Sequence, residues 1–341
     1  MSYRNLGRSN LQVSALCLGT MMFGDQTDEA EAGRIVADAH AHGVNFVDTA
    51  DVYTNGASEA MLGRLIRHQR HDWVLATKLG NTMSSRPNES RYSRVWMLRE
   101  VDASLARLGT DHIDILYLHR DFAGMNLDEP IQAVGDLIRA GKIRYWGLSN
   151  FRGWRIAEMV HGAARLGVPA PVVCQPYYNL LNRMPEVEII PACAHHGIGV
   201  VPYSPIARGV LTGKYPPGAQ PEAGTRAGRG DKRIAETEFR AESLAIAQQL
   251  KAHAEAKGVT LAQWATAWVL ANPAISSVIA GPRTLAQWQD YRPALGCVID
   301  ADDEALVDSL VAPGHPSTPG FNDPAYPLIG RPVAGRLPSR A

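Results

Sequence analysis

Cysteine is scarce in this chain. Of 341 residues only Cys17, Cys174, Cys193 and Cys297 carry a thiol, and no two form a C-x-x-C pair. That excludes a disulfide framework and the common zinc modules. Three of the four lie in apolar runs and read as small buried hydrophobes, which suits a reducing compartment. Long hydrophobic runs are missing too: none approaches the ~20 apolar residues a membrane helix needs. The opening MSYRNLGRSN lacks the apolar stretch of a secretory signal. A cytoplasmic location is therefore expected, with no membrane partner. Asn88-Glu89-Ser90 matches a glycosylation sequon, with no secretory signal to make use of it. Charge of one sign is not in excess either, with 34 basic and 34 acidic residues. A nucleic-acid binder usually shows a basic surplus, so no such partner is expected.

Motifs are also absent. No G-x-G-x-x-G follows an apolar strand, so a Rossmann dinucleotide site is not expected. GVLTGKY lacks the spacing and the hydroxyl residue of a phosphate loop. There is no H-E-x-x-H, and no metal is expected. His195-His196 stands before Gly197 and reads as the end of a helix.

What is there is a repeat. A short apolar or β-branched run ends in a polar residue or glycine, and an amphipathic stretch follows. The runs are Leu16–Leu18, Val44–Val47, Val74–Thr77, Ile113–Leu118, Ile143–Leu148, Val172–Cys174, Gly199–Pro202 and Ser277–Ile279, eight in all. Several are hydrophobic without alternation, as in parallel strands buried on both faces. Helices are expected from Asp28 to Gly43, Ser93 to Gly109 and Asp128 to Gly141, each with a capping residue in front and glycine behind. The alternation indicates an α/β fold, and eight strands favour a (β/α)8 TIM barrel over a doubly wound sheet. An apolar share of 45% suffices for such a core.

Three segments fall outside the repeat. Residues 1–14 suggest a β-hairpin turning at Gly7–Asn10, a plug for the barrel floor. Residues 208–240 read as a long surface loop rich in Gly, Pro and charge. Residues 312–341 read as an extended tail. Helical stretches beyond the repeat are expected before the last strand. The whole is taken as a single barrel domain, 1–341.

In this architecture catalytic groups stand at the C-terminal ends of strands. VDTADVY puts Asp48 and Tyr53 at the second strand end, LATK puts Lys78 at the third and LYLH puts His119 at the fourth. Taken singly, each has an ordinary explanation: a cap, a rim aromatic, a core histidine. Together at neighbouring strand ends they suggest a device. A phenol ionises near pH ~10 and is a poor acid at neutrality. An ammonium beside it favours the phenolate, a carboxylate holds the ammonium, and a neutral imidazole can orient a carbonyl oxygen. That set suits carbonyl reduction if a hydride donor faces the carbonyl carbon.

The ordered stretches VNFVDTADVY, SEAMLGRLI, LATK, LYLH, GLSN, QPYYNLL, PYSPIARGVLTGKY and SVIAGPRTLAQWQDY resemble the aldo-keto reductase superfamily over roughly residues 3–311. GRSNLQVSALCLGTMMFG is similar to its bacterial and potassium-channel-β-subunit-like branch. The resemblance implies NADPH/NADP+ as cofactor and a small-molecule carbonyl as substrate. It makes Tyr53 the general acid, Lys78 and Asp48 its tuning pair and His119 the carbonyl-orienting group. It assigns Ser149, Asn150 and Gln175 to the nicotinamide carboxamide and Tyr203 to the nicotinamide ring. Ser204, Pro205, Ile206 and Ala207 would continue that wall under the pyrophosphate. Gly19, Thr20 and Met21 would approach from the first strand, with Asp48. Lys214 and Arg226 would meet phosphates. Gly281 opens the segment after the last strand, where a helix N-terminus and Arg283 would take a 2′-phosphate, and Gln287 and Asp290 would reach the adenosine. Met22, Phe23, Trp96 and Tyr178 are candidates for an apolar substrate lining. The loops 80–92, 120–127 and 208–240 and the tail would set specificity.

Two other functions compete. One is a cofactor-loaded redox sensor or regulatory subunit with little turnover. The other is a barrel aldolase with Lys78 as a Schiff-base lysine. A homo-oligomer is compatible with the sequence.

Overall fold

A computed structural model describes residues 1–327, so the last fourteen positions of the expected tail lie outside the described residues. In chain order the elements are β1 (Tyr3–Asn5), β2 (Gln12–Ser14), β3 (Leu16–Gly19), α1 (Glu29–Ala41), β4 (Phe46–Asp48), α2 (Ala57–Ile66), β5 (Val74–Leu79), α3 (Arg94–Leu108), β6 (Ile113–Leu118), α4 (Asp128–Arg139), β7 (Ile143–Ser149), α5 (Gly153–Arg165), β8 (Val173–Gln175), α6 (Ile189–His196), β9 (Gly199–Val200), α7 (Lys232–Glu236), α8 (Ala241–Ala256), α9 (Leu261–Ala271), β10 (Val278–Ala280), α10 (Leu285–Tyr291) and α11 (Ala301–Leu310).

The chain forms two compact units. The first comprises 1–176, 188–203 and 273–290; the second comprises, among the described residues, 177–187, 204–272 and 291–327. In the first unit the strands run β10-β3-β4-β5-β6-β7-β8-β9, every neighbouring pair parallel. Parallel bridges Val200↔Ile275 and Tyr203↔Ile279 join the two ends of that order. This is the eight-stranded (β/α)8 barrel.

Local signals place the starts of α1 and α3 as expected. Asp28 caps α1 by accepting from the Glu31 amide, and Ser93 caps α3 by accepting from Trp96. Gly109 closes α3 in the left-handed region that side chains avoid. No side chain caps α4; Asp128 is instead its first residue.

The hairpin is present. β1 and β2 pair antiparallel, with Leu6 donating its N–H to the Leu11 carbonyl at 2.8 Å. It plugs the end of the barrel where the strands begin: Arg8 N–H bonds Gly197 O just before β9, and the Ser14 amide bonds Asn45 Oδ1 just before β4. Leu6 and Val13 join Cys17, Phe46, Ala76, Ile115, Tyr117, Val173, Val201 and Ile279 in one buried core. Each such aliphatic side chain contributes about 1.5–3 kcal/mol when fully buried.

The second unit holds α7, α8 and α9, the helices that precede the last strand in the chain, together with α11. Thr260 and Gln263 form a reciprocal capping box on α9, and Asp300 and Asp303 do so on α11. Residues 208–240 are not surface loop throughout. A 3-10 turn spans Ala207–Thr212, α7 is capped by Asp231, and Val210, Leu211, Tyr215 and Ile234 are buried. Helices this short leave no periodicity to read. From 312 to 327 the chain has no helix or regular strand, but it is anchored: Ser317 N–H bonds Leu181 O and Arg183 N–H bonds His315 O.

Candidate active site

Strand register builds the site in the first unit. Asp48 is the last residue of β4 and pairs in register with Ala76 of β5. Lys78 lies two positions further along β5 and pairs with Tyr117 of β6, and His119 directly follows β6. All three therefore stand at C-terminal strand ends. Tyr53 begins a 3-10 turn five residues past Asp48.

The four converge. Lys78 Nζ donates to Asp48 Oδ2 at 2.5 Å, to the Thr49 carbonyl at 2.8 Å and to the Tyr53 hydroxyl at 3.1 Å. These use all three of its protons. Its amine also lies 4.8 Å from the centre of the Tyr53 ring. The second Asp48 oxygen accepts from Gln175 Nε2 at 2.9 Å. The His119 ring meets the Tyr53 ring edge-on, with centres 6.1 Å apart.

Protonation states follow from burial and neighbours. Burial pulls the Lys78 amine down, but Asp48 and the Tyr53 oxygen outweigh it and the net shift is upward. Lys78 is a fixed cation at neutral pH. His119 is held well below its ordinary value by burial, and by Lys78 and Arg120. It is a neutral imidazole, and its Nδ1 finds no hydrogen-bond partner among the described residues.

A second polar group adjoins the first. Ser149 Oγ donates to Gln175 O at 3.1 Å, and Asn150 Nδ2 donates to His119 O and Ser149 Oγ, both at 3.0 Å. Tyr203 donates its hydroxyl proton to Asn150 Oδ1 at 2.8 Å. Asn150 has a φ of +60°, which asparagine tolerates better than most residues. Donors, acceptors and a partly exposed ring side by side match the chemistry of a carboxamide on an aromatic ring.

Other expected contacts are placed as follows. Gly19 abuts β10, where an added methyl group would lie 2.7 Å from Ile279 Cγ2. Thr20 is buried and bonded to Asp48 O and Ser58 Oγ. Met21 is 41% exposed. Phe23 and Trp96 are buried in this unit, and Tyr178 is buried in the second, bonded to Glu186. In the second unit Ser204, Ala207, Arg208 and Gly209 all have positive φ, around Pro205 and Ile206. Such backbone clusters at functional sites. The Lys214 amine lies near Gly209 and over the Tyr215 ring. Arg226 is paired with Asp231 at 3.0 Å.

The segment after β10 departs from expectation. Gly281 has open space around it. Helix α10 has only seven residues, and its Leu285 amide is already taken by Glu31 Oε1 at 2.6 Å. Gln287 Oε1 accepts from the Arg283 backbone amide, so that oxygen faces its own turn. Arg283 and Asp290 are half-buried. A carboxylate from α1, more than 250 positions away, was not readable as a helix-capping partner.

Two contacts of the site were not readable in the sequence, although Gln175 itself was expected there. Gln175 holds Asp48, and the Thr49 carbonyl holds Lys78. A backbone carbonyl carries no sequence signal, and the Gln175–Asp48 pair spans 127 positions.

Residues 15–312 match the pattern of the Aldo/keto reductase family. A probable voltage-gated potassium channel subunit beta of Arabidopsis thaliana is 40% identical over 303 residues, 87% of this chain and 92% of that protein. A protein of the same description from Oryza sativa subsp. japonica is 39% identical over 317 residues, 92% and 96% of the two chains. The uncharacterized oxidoreductase YrpG of Bacillus subtilis (strain 168) is 35% identical over 322 residues, 91% and 96%. A match across nearly the whole barrel, with a phenol and an ammonium meeting at its strand ends, leaves one conclusion: the chain belongs to the aldo/keto reductase family.

Proposed function

We propose that this protein reduces an aldehyde or ketone to the alcohol, with NADPH as hydride donor and Tyr53 as proton donor. The observation that carries the reading is the chain Asp48–Lys78–Tyr53, closed at 2.5 Å and 3.1 Å in a buried setting. Family membership supports NAD(P)-dependent oxidoreduction. The nicotinamide would supply hydride to the carbonyl carbon. Ser149, Asn150 and Gln175 would bind its carboxamide, and the Tyr203 ring would orient its face.

The protein's own groups do the proton work. Tyr53 gives its proton to the carbonyl oxygen as negative charge develops there. Lys78, a fixed cation, stabilises the phenolate left behind. Asp48 holds Lys78, and Gln175 holds Asp48. His119, neutral, directs the carbonyl oxygen toward the phenol without competing as an acid.

The preference for NADPH over NADH rests on Arg283, since the first amide of α10 is occupied by Glu31. Ser204–Ala207, Lys214 and Arg226 are assigned to phosphates by resemblance. No helix among the described residues is long and apolar enough to cross a membrane, which is compatible with a cytoplasmic site of action.

A panel of aldehydes and ketones, followed by NADPH consumption, tests the reading. Tyr53→Phe should lower turnover by roughly 10²–10⁴-fold while leaving NADPH affinity within about threefold of wild type. Undiminished turnover in that variant would remove Tyr53 as the acid.

The regulatory reading has its own support, because two relatives are named as probable potassium-channel β-subunits. Tight NADPH binding with no carbonyl reduced across the panel would favour it. A Schiff-base role for Lys78 fits poorly, because an amine must be free and neutral to attack a carbonyl. Lys78 is buried, fully bonded and cationic.

A further inference from the structure

The turn that carries Tyr53 has unusual backbone. Thr54, Asn55 and Gly56 follow it with φ of 47°, 54° and 88°, three left-handed residues in a row. Threonine rarely adopts that conformation, so the surroundings must hold it.

Thr54 Oγ1 donates to the Phe23 carbonyl at 3.3 Å, and Arg107 of α3 packs against Gly56. A methyl group added at Gly56 would meet Arg107 Cδ at 2.6 Å and Nε at 3.0 Å, so the guanidinium stem lies directly under the turn. Arg107 is itself locked. Its Nε donates to Glu59 Oε2 at 2.6 Å, and its Nη2 donates to Glu100 Oε1 at 2.5 Å and Ser104 Oγ at 2.9 Å. The other oxygen of Glu59 accepts from Thr77 Oγ1 at 2.5 Å. Thr77 is the neighbour of Lys78 on β5. Glu59, Glu100, Ser104 and Thr77 are all buried. One network therefore grips the turn that carries the phenol and the strand that carries the ammonium. Asp51, buried between the strand end and the turn, faces the same network: Glu59, Glu100 and Arg107 all act on its carboxyl.

We propose that Arg107, Glu59 and Glu100, acting through Thr77 and Gly56, are positioning residues that set the distance between the Tyr53 hydroxyl and the Lys78 amine. The catalytic consequence rests on the carbonyl-reduction reading; the geometric claim does not. The ordinary alternative is an ion network that stabilises the α2–α3 contact and nothing more.

Two substitutions separate these, and both keep formal charge. Thr77→Val removes the bond that ties Glu59 to β5. Arg107→Lys keeps the cation and loses the fork that reaches two carboxylates. Tyr53 ionisation is read from phenolate absorbance, as the difference between each protein and the same protein carrying Tyr53→Phe. If the network positions the pair, loosening it weakens the ammonium's hold on the phenolate, and Tyr53 should ionise about one unit higher. With NADPH and a carbonyl, kcat should fall roughly tenfold and the NADPH Kd should stay within about threefold. A lowered Tm with Tyr53 ionisation and kcat unchanged in both variants overturns the proposal. Should Arg107→Lys fail to fold, Thr77→Val alone decides. The titration needs neither cofactor nor substrate, so a wild type that reduces no carbonyl would sink the reading above and leave this test intact.

Discussion

Under the proposed reading, a preference for NADPH would rest on Arg283. Of the other groups expected there, the first amide of α10 is taken by Glu31, and the side-chain oxygen of Gln287 accepts from the Arg283 backbone. Arg283→Ala should therefore weaken NADPH binding by a charge-assisted contact, about 1.5–3 kcal/mol, and leave NADH nearly unchanged. Titrating both nucleotides against wild type and variant checks this, and equal loss for the two would remove the 2′-phosphate argument. His119 behaves differently from a free histidine. Held neutral by burial, Lys78 and Arg120, it should add no ionisation of its own to a pH–activity profile in the ordinary histidine range. The placement of Asp48, Tyr53, Lys78 and His119 at one end of neighbouring strands was legible from residue types, because parallel β/α units repeat with a period that can be counted. Its state of charge was not, because that depends on burial and on which oxygens come within reach.

At the scale of elements, close approach decides the geometry. Gly63 lets α2 lie against α3: a methyl group there would sit 2.2 Å from Leu108 O. That contact brings Glu59 on α2 within reach of Arg107 on α3. Neither backbone segment can yield as a flexible side chain would. Gly63→Ala should cost about 1–3 kcal/mol of stability in urea unfolding, although alanine is the better helix former. A neutral or stabilising result would mean that α2 shifts freely on α3. The helix starts at Asp28 and Ser93 and the stop at Gly109 were legible from sequence, since capping is local. The turn of Ala207–Thr212 and helix α7 were hidden in a segment read as loop. Five or six residues are too few to show a period.

For the molecule as a whole, stability should depend on pH through Asp51. Its carboxyl is fully buried; one oxygen accepts from the Val52 amide at 2.6 Å and the other has no partner among the described residues. Burial pushes it well above the usual carboxylate range, and Glu59 and Glu100 push it further. The sign follows. Below about pH 4 native and unfolded chains both hold this proton, and Asp51 has no effect. As pH rises the unfolded chain releases it more easily than the native one, so stability falls until the native pKa is passed. Asp51→Asn keeps the oxygen for the Val52 amide and removes the charge. Its Tm should exceed that of wild type at pH 8, with the gap closing toward pH 4. A gap that does not change with pH would show that Asp51 is ionised in the native protein.

The amino-acid sequence by itself determined the eight barrel strands, the caps at Asp28 and Ser93, the hairpin, and the placing of Asp48, Lys78 and His119 at neighbouring strand ends with Tyr53 just beyond. Each is written in short-range pattern: apolar runs, capping residues and a repeated β/α unit. Only the tertiary structure decided that Gln175 closes on Asp48, that Glu31 occupies the first amide of α10 and that Arg107 lies beneath the Tyr53 turn. It also decided that Lys78 is charged, whereas His119 is not. Most of these contacts join residues 25 to more than 250 positions apart, and they depend on packing distance and exclusion of water, which no local pattern encodes.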